Sequence, residues 1–272
     1  MNNDDDDELL RFEATGIALP PADEQGFVEH DAARIWYACF GSGTPVILLH
    51  GGLGHSGNWG KQIGALVDAG YRVVTIDSRG HGRSTRDARP YRYELMAADA
   101  IAVMDALKIG KAPVAGWSDG ACTALLMAEH NPTRVASVLY FGCNMDPSGS
   151  QDIQWPHTVI ERCFSRHKKD YATLSATPDQ FDPFVEAVSL MERTQPNYTA
   201  ADLARIHVPV LVVHSEHDEF IKPEHAAYLA QTLPRARLVT LPGVSHFAPI
   251  QRPERFNRVL LAFLGEHAGL SA

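Results

Sequence analysis

A serine between two glycines is the first feature of this sequence that points to chemistry. Ser118 lies in the stretch G-W-S-D-G (116–120), after the apolar run 112–117 and before residues 121–130, whose pattern is typical of a helix. A serine at so sharp a strand-to-helix turn has a strained backbone, and small residues two positions before and after it let the chain pass close to itself. A serine that caps a helix is the simpler interpretation. Because a cap needs no glycine on each side, the pattern favours a nucleophile.

Three further strand ends carry residues that a serine nucleophile would use. The glycine-rich turn H-G-G-L-G (50–54) is typical either of a flexible loop or of a turn whose backbone N–H groups bind an oxyanion. His246 follows the apolar run 236–243. Candidate carboxylates come just after the run 208–213, and they are Glu216, Asp218 and Glu219. A histidine beside a serine can take its proton, and a carboxylate can orient that histidine.

Six short apolar runs, rich in β-branched residues, predict strands that are buried on both faces of a sheet. The runs are 45–50, 71–77, 112–117, 134–142, 208–216 and 236–243. Stretches with helical periodicity lie between them, such as 223–234 and 253–267. This alternation predicts an α/β fold with a mostly parallel, doubly wound sheet. Because parallel strands end at the same edge of a sheet, the serine, the carboxylates and the histidine should meet there.

Residues 144–203 interrupt the alternation of strands and helices. The segment is polar, contains five prolines and has no convincing strand. It predicts a small, mostly helical insertion that enters after a core strand and covers the functional edge of the sheet as a cap. The predicted organisation is therefore an acidic tail (1–22), a first part of the core (23–143), the cap (144–203) and a second part of the core (204–272).

The charge distribution argues against some classes of partner. The net charge is −9, and five of the acids lie within the first eight residues, a run typical of a solvated, disordered tail. The acidic balance argues against nucleic acid and against an anionic membrane surface. No segment has the length of apolar sequence that a membrane span needs. Four widely spaced cysteines and the lack of a signal-peptide pattern predict reduced thiols in a cytoplasmic protein.

Together these motifs resemble those of the α/β-hydrolase superfamily, over nearly the whole chain after about residue 26. The turn 50–54 is similar to the oxyanion loop of that family, D-S-R-G-H-G-R-S (77–84) to its structural turn, G-W-S-D-G to its nucleophile elbow and L-P-G-V-S-H-F (241–247) to its histidine loop. The chain order serine, acid, histidine is also the order of that fold.

The resemblance implies a catalytic triad of Ser118, Asp218 and His246 in a small, esterase-like member with a short cap. Asp218 is selected because its distance past the run 208–213 matches the family pattern. The neighbouring Glu216 and Glu219, and Asp146 after another strand end, remain alternatives for the acid.

The resemblance further implies acyl transfer to water, without a metal or a cofactor. The backbone N–H groups of Gly52 and Asp119 would bind the oxyanion while a small or medium ester or lactone is cleaved. A serine at the elbow argues against epoxide hydrolases and haloalkane dehalogenases, which use aspartate there. Candidate residues for the substrate pocket, each equally compatible with the core, are Leu53, Trp117, Met145, Trp155 and Phe247.

Two other classes of function stay open at this point. The same triad could serve hydrolysis of a carbon–carbon bond or cofactor-free perhydrolysis, or the chain could be a ligand-binding protein that kept the fold. In each case the partner is a small molecule, and the sequence leaves the oligomeric state open.

Overall fold

A mixed eight-stranded sheet lies at the centre of the described part of the chain. The structure is a computed structural model that describes residues 7–153 and 155–267. The strands in chain order are β1 (Glu24–His30), β2 (Ala33–Phe40), β3 (Thr44–Leu49), β4 (Tyr71–Ile76), β5 (Ala112–Trp117), β6 (Val135–Phe141), β7 (Val210–His217) and β8 (Ala236–Ser245). Across the sheet they lie in the order β1-β2-β4-β3-β5-β6-β7-β8.

Strands β3 to β8 are parallel, as the apolar runs predicted. Every residue of β5 and β6 is buried, which is why their sequences are apolar without alternation. Strands β1 and β2 add an antiparallel edge that lies outside the predicted runs. The sequence of β1, EQGFVEH, is largely exposed or half-buried, so it has no continuous apolar run.

Helices cover both faces of the sheet. They are α1 (Asp7–Thr15), α2 (Gly60–Asp68), α3 (Tyr93–Ala106), α4 (Asp119–His130), α5 (Thr158–Leu174), α6 (Phe181–Thr194), α7 (Ala200–Leu203), α8 (Pro223–Thr232), α9 (Ala248–Gln251) and α10 (Pro253–His267). Helices α2, α9 and α10 share one core cluster with Leu48 of β3, and α3, α4 and α8 share the other with its neighbour Ile47. The chain therefore has the α/β fold that the alternation predicted, and α8 and α10 lie where helices were expected.

The N-terminal segment differs from its prediction as a disordered tail over residues 1–22. Residues 1–6 lie outside the described residues, but Asp7–Thr15 form the helix α1. Its Leu9 and Phe12 are buried, and the helix contacts α5 and α9. The prediction is wrong here because the acidic run is followed by two apolar residues at helical spacing, Leu9 and Phe12, and these are enough to bury one face of α1.

The segment 144–203, predicted to be a helical insertion, contains α5, α6 and α7. Two short 3₁₀ turns, Pro147–Gly149 and Pro178–Gln180, precede α5 and α6. Helix α5 contacts α6 within the segment, and it also packs against the N-terminal helix α1. In the described ranges, no helix combines the length and the apolar character that crossing a membrane requires.

The turn at 77–84 is held by buried polar contacts at the end of β4. The Asp77 carboxylate accepts hydrogen bonds from the backbone N–H groups of Ser56 (2.7 Å) and Arg83 (2.9 Å). Nearby, the buried side chains of Arg79 and Asp99 form an ion pair at 2.7 Å. Because its buried polar groups have partners, this turn is a stable support for the loop beside it.

Candidate active site

Ser118 lies between β5 and α4 with a backbone that few residues adopt. Its φ is +53° and its ψ is −124°, a strained combination for any residue with a side chain. The two flanking positions require glycine for steric reasons. A Cβ on Gly116 would stand 2.2 Å from the backbone oxygen of Gly120, and a Cβ on Gly120 would stand 2.1 Å from that of Leu49. Only glycine lets α4 start this close to the ends of β3 and β5, and the turn holds Ser118 at the wall of a large cavity.

The loop 50–54 passes directly beside Ser118. A Cβ on Gly51 would stand 3.0 Å from Ser118 Cβ, and Gly52 lines the same cavity as Ser118. His50 anchors the loop, because its Nε2 accepts a hydrogen bond from Ser78 N–H (2.9 Å) and its Nδ1 lies 2.7 Å from the Gly51 oxygen. Burial lowers the pKa of His50 to about 4. The ring is therefore neutral, Nδ1 donates to Gly51, and the role of His50 is structural.

His246 and Asp218 form a buried pair just past the ends of β8 and β7. His246 Nδ1 lies 3.0 Å from Asp218 Oδ2 and 3.1 Å from Oδ1. Asp218 Oδ1 also accepts hydrogen bonds from the N–H groups of Phe220 (2.9 Å) and Ile221 (3.0 Å), which fix the carboxylate. Gly142 makes room for the pair, since its φ is +62° and a Cβ there would stand 3.1 Å from His246 Nδ1. A carboxylate at Nδ1 keeps the ring proton there and leaves Nε2 free to accept another.

The other candidate carboxylates face different groups. Glu216 accepts a hydrogen bond from Gly243 N–H (2.7 Å), and Glu219 accepts one from the backbone N–H of His246 (2.9 Å). Asp146 caps the turn Pro147–Gly149. Of the four candidates, the structure brings Asp218 alone against the imidazole.

The charges around His246 favour its protonated form. Burial by itself lowers the pKa of the imidazole, but the attraction of Asp218, the hydrogen bond to it and the charges of Glu219 and Asp119 together raise that pKa above its ordinary value. For Asp218 the balance runs the other way. Burial raises the pKa of its carboxyl, and the histidine and the hydrogen bonds hold that pKa below its ordinary value. The pair is thus an ionised aspartate beside a histidine that readily takes a proton.

A cavity of about 690 Å³ lies over the edge of the sheet that carries these residues. Its core wall includes Gly52, Ser118, Asp119 and His246. The segment 144–203 supplies much of the remaining wall, including Ile160, Phe164, Val185 and Glu192 from α5 and α6. Ser118, His246 and both candidate oxyanion residues therefore face one space, with the helical segment on its other side.

Four of the five residues predicted to line the substrate pocket border this cavity, and they are Leu53, Trp117, Trp155 and Phe247. Met145 does not. Its side chain is fully buried in the core, and its backbone N–H donates to His225 Nε2 at 3.0 Å. Of the two alternatives that the sequence left open for Met145, the structure has the core position, because a position after a strand end does not determine which way the side chain turns.

Tyr93 and Glu192 are among the residues of the cavity wall that the sequence did not single out. The Tyr93 hydroxyl donates to Asp119 Oδ1 at 2.7 Å, and Glu192 borders the cavity from α6. Glu192 follows Phe181, Phe184 and Val188 at helical spacing, but the residue is exposed, so the spacing alone does not mark it. No comparable pattern marks Tyr93.

The cysteines and the candidate metal ligands add no further site. Cys39, Cys122, Cys143 and Cys163 are buried free thiols. Over residues 7–153 and 155–267, histidine, cysteine, aspartate and glutamate side chains nowhere form a group of three or more that could hold a metal ion.

The fold and this arrangement of serine, histidine and carboxylate agree with the comparison against known families. A family model described as the alpha/beta hydrolase family matches residues 46–259, a range that includes Ser118, Asp218 and His246. The chain belongs to the alpha/beta hydrolase family, and the resemblance noted from its motifs is confirmed.

Individual relatives align with most of the chain. A non-heme haloperoxidase from Rhodococcus erythropolis is 29% identical over 268 residues, which cover 86% of this chain and 97% of the relative. The human serine hydrolase BPHL is 26% identical, over 86% of this chain and 84% of its own length. The solved structure of an N-acyl homoserine lactone degrading enzyme is 26% identical with a TM-score of 0.67, over 88% of this chain and all of that one. These similarities support an α/β-hydrolase enzyme with a small-molecule substrate.

Proposed function

We propose that this enzyme is a serine hydrolase that cleaves a carboxylic ester or lactone through an acyl-enzyme. The observation that supports the proposal most directly is the shared cavity of Ser118 and His246, with Asp218 hydrogen-bonded to the far side of the imidazole. A serine on a strained turn, a histidine that can take its proton and a carboxylate that fixes the histidine tautomer are the parts of acyl transfer.

In the first half of the reaction, Ser118 becomes acylated. Its Oγ forms a bond to the carbonyl carbon as His246 Nε2 takes the hydroxyl proton, and the carbonyl oxygen becomes an oxyanion. The bond to the leaving oxygen then breaks, and His246 returns the proton to that oxygen. An ester loses its alcohol at this stage, whereas a lactone opens and keeps it.

In the second half, water releases the acid. His246 takes a proton from water as the water oxygen bonds to the acyl carbon, and the bond to Ser118 Oγ breaks as the proton is returned to it. Asp218 stays ionised throughout and stabilises the imidazolium formed in each half. The pKa shifts of the pair favour this assignment.

The oxyanion would bind to the backbone N–H groups of Asp119 and Gly52. Asp119 is the first residue of α4, so its N–H belongs to the positive end of the helix dipole. Gly52 comes from the loop that passes beside Ser118. A donor of this kind typically contributes about 3–4 kcal/mol to transition-state stabilisation.

The size and lining of the cavity suggest small or medium acyl groups. A volume of about 690 Å³ lies in the usual range for sites that take small molecules. Apolar side chains such as Leu53, Trp117 and Phe247 border the cavity together with Ser118. The similarity to a structure described as an N-acyl homoserine lactone degrading enzyme supports a lactone as the substrate.

Two measurements with one variant test the proposal. We expect a fluorophosphonate to label the wild-type protein at Ser118, and we expect hydrolysis of p-nitrophenyl butanoate to fall by several orders of magnitude in Ser118→Ala, since the triad acts as a unit. Circular dichroism and the unfolding temperature of the variant should stay close to wild type. Near-normal hydrolysis by Ser118→Ala would remove the serine from the mechanism, and turnover of a vinylogous diketone without turnover of any ester would favour carbon–carbon bond hydrolysis instead.

A further inference from the structure

Two of the buried cysteine thiols lie in contact beside the candidate active site, and the proposed mechanism does not use them. The sulfurs of Cys122 and Cys143 are 3.0 Å apart. An S–S bond is about 2.05 Å long, so these sulfurs need to approach by only about 1 Å to form one. In the described part of the chain, Cys39 and Cys163 have no second sulfur in contact. The contact therefore distinguishes one pair among the four thiols.

The two thiols belong to elements that support the candidate triad. Cys122 lies one helical turn after Ser118 in α4, and its backbone N–H donates to the Ser118 oxygen at 3.3 Å. Cys143 directly follows Gly142, where a Cβ would stand 3.1 Å from the buried imidazole. A bond between the two sulfurs would therefore link the helix of the nucleophile to the strand end beside the histidine.

One thiol of the pair borders the cavity, and the other lies behind it. Cys143 is part of the cavity wall and is 5% exposed, whereas Cys122 is fully buried and is not part of that wall. Burial, the contact with Cys143 and the charge of Asp119 raise the pKa of the Cys122 thiol, and Tyr140 opposes them only in part. A small reagent that enters the cavity therefore meets Cys143 first.

We propose that Cys122 and Cys143 form a redox-active dithiol, which a hydroperoxide in the cavity converts to a disulfide. With hydrogen peroxide, the Cys143 sulfur bonds to one peroxide oxygen as the O–O bond breaks. The thiol proton leaves with the other oxygen as water, and Cys143 becomes a sulfenic acid. The cavity of about 690 Å³ is far larger than such an oxidant.

The second step closes the bridge. The Cys122 sulfur bonds to the Cys143 sulfur as the S–O bond of the sulfenic acid breaks, and the released hydroxyl group takes the Cys122 proton and leaves as water. Over both steps the two thiols lose two protons and two electrons, and the peroxide is reduced to two molecules of water.

The contact between the sulfurs gives the dithiol a protective role. A sulfenic acid that meets no thiol is oxidised further to a sulfinic acid, which is not readily reduced. Because Cys122 already lies against Cys143, the bridge should form before a second peroxide reacts. The cavity wall would then pass through a reversible state in place of a permanent, charged lesion next to Ser118.

Peroxide treatment of the wild type tests the proposal. We expect the mass of the intact protein to fall by two hydrogen atoms, and we expect the free thiols of the denatured protein to fall from four to two. A peptide map should show Cys122 joined to Cys143, and dithiothreitol should restore all four thiols. An unchanged thiol count, or a loss of thiols without this bridge, would overturn the proposal.

Three variants test the order of the steps. In Cys122→Ser, Cys143 should react with dimedone as a sulfenic acid and gain two oxygen atoms on longer exposure to peroxide. In Cys143→Ser, Cys122 should react with dimedone at least about tenfold more slowly, because it lies behind the wall. Cys163→Ser is the matched control, since Cys163 borders the same cavity without a second sulfur in contact, and this variant should still form the bridge.

Equal dimedone labelling of the two single thiols would contradict the order of the steps, and loss of the bridge in Cys163→Ser would contradict the choice of partners. All of these readouts are masses and thiol counts, and none of them needs ester hydrolysis. The dithiol can therefore be confirmed or overturned whether or not the proposed function holds, and the wild-type result decides even where a variant does not fold.

Discussion

At the scale of single residues, His246 is held by two acids that contact different atoms. Asp218 faces the imidazole at Nδ1, and Glu219 accepts a hydrogen bond from the backbone N–H of the same residue. The buried Asp119 is the third acid whose charge acts on the ring, and the charges of Asp218 and His246 both act on the nearby His214. The site therefore stabilises the imidazolium that the proposed acyl transfer requires, but it also keeps the resting histidine protonated to a higher pH.

This arrangement gives a prediction for the pH profile. Only neutral His246 accepts a proton from Ser118, and its pKa is raised, so the acid limb of kcat/KM should lie above the ordinary histidine value of about 6.5. Burial raises the pKa of Glu219 itself to about 7, so its charge acts on His246 mainly near and above neutral pH. Where Glu219 is ionised it raises the pKa of His246, so in Glu219→Gln the upper part of the limb should move to lower pH. The variant keeps an oxygen that accepts from the His246 N–H. The measurement is kcat/KM for a neutral p-nitrophenyl ester across the acid and neutral range.

Glu216→Gln is the control for that profile, because Glu216 carries the same charge nearby but binds Gly243 N–H and is exposed. Its limb should coincide with that of the wild type. Equal shifts in the two glutamine variants would assign the effect to net charge rather than to Glu219, and no shift in Glu219→Gln would contradict the role of that acid.

At the scale of elements, the turn between β5 and α4 depends on how closely backbones approach. Gly116 and Gly120 allow α4 to begin against the strand ends, and this packing places Ser118 in its strained conformation. The first ten residues of α4 are all buried. The packing of this helix and of the buried strands supplies the free energy that offsets the strain at Ser118.

Gly116→Ala should therefore be destabilising. The new Cβ would stand 2.2 Å from a backbone oxygen, which cannot turn away as a flexible side chain can, so the free energy of unfolding should fall by at least about 1–3 kcal/mol. Gly64→Ala is the matched control. Gly64 lies inside α2 with open space around its missing Cβ, so alanine there should be neutral or stabilising by up to about 1 kcal/mol. Urea unfolding midpoints measure both, and equal midpoints would contradict the steric account.

The sequence allowed the fold and the candidate triad to be predicted because their signals are local. Ser118, Asp218 and His246 each follow an apolar run, and parallel strands bring such ends to one edge. Met145 and Glu192 could not be placed in the same way, because the direction of a side chain and the position of α6 over the sheet depend on tertiary packing. Helix α1 was missed because its two buried residues stand among charges.

At the scale of the whole molecule, the cavity lies between the sheet edge and the segment 144–203. Trp155 is part of its wall and is 61% exposed, so it stands where the cavity meets solvent. We expect its ring to limit the space available to an acyl chain that extends away from Ser118. A change in this segment should therefore alter substrate size preference without altering the reactivity of the serine.

Trp155→Ala tests that division of roles. We expect longer p-nitrophenyl acyl esters to gain relative to butanoate, since removal of the ring lengthens the cavity, while labelling of Ser118 by a small fluorophosphonate keeps its rate. Leu190→Ala is the control, because Leu190 is an exposed apolar residue of α6 that is not part of the cavity wall. An unchanged chain-length profile in Trp155→Ala would show that this residue does not limit the acyl chain.

Helix α1 also has a consequence for how the chain is made. Its Leu9 and Phe12 pack on α5, which begins about 140 residues later in the sequence. At about 5–20 residues per second, a ribosome needs roughly seven to thirty seconds to reach that partner. During this interval both apolar side chains lack the helix against which they are finally buried. The N-terminal helix can therefore pack on α5 only after synthesis has passed residue 174, and on α9 only after residue 251, so its docking is a late event in the biogenesis of the protein.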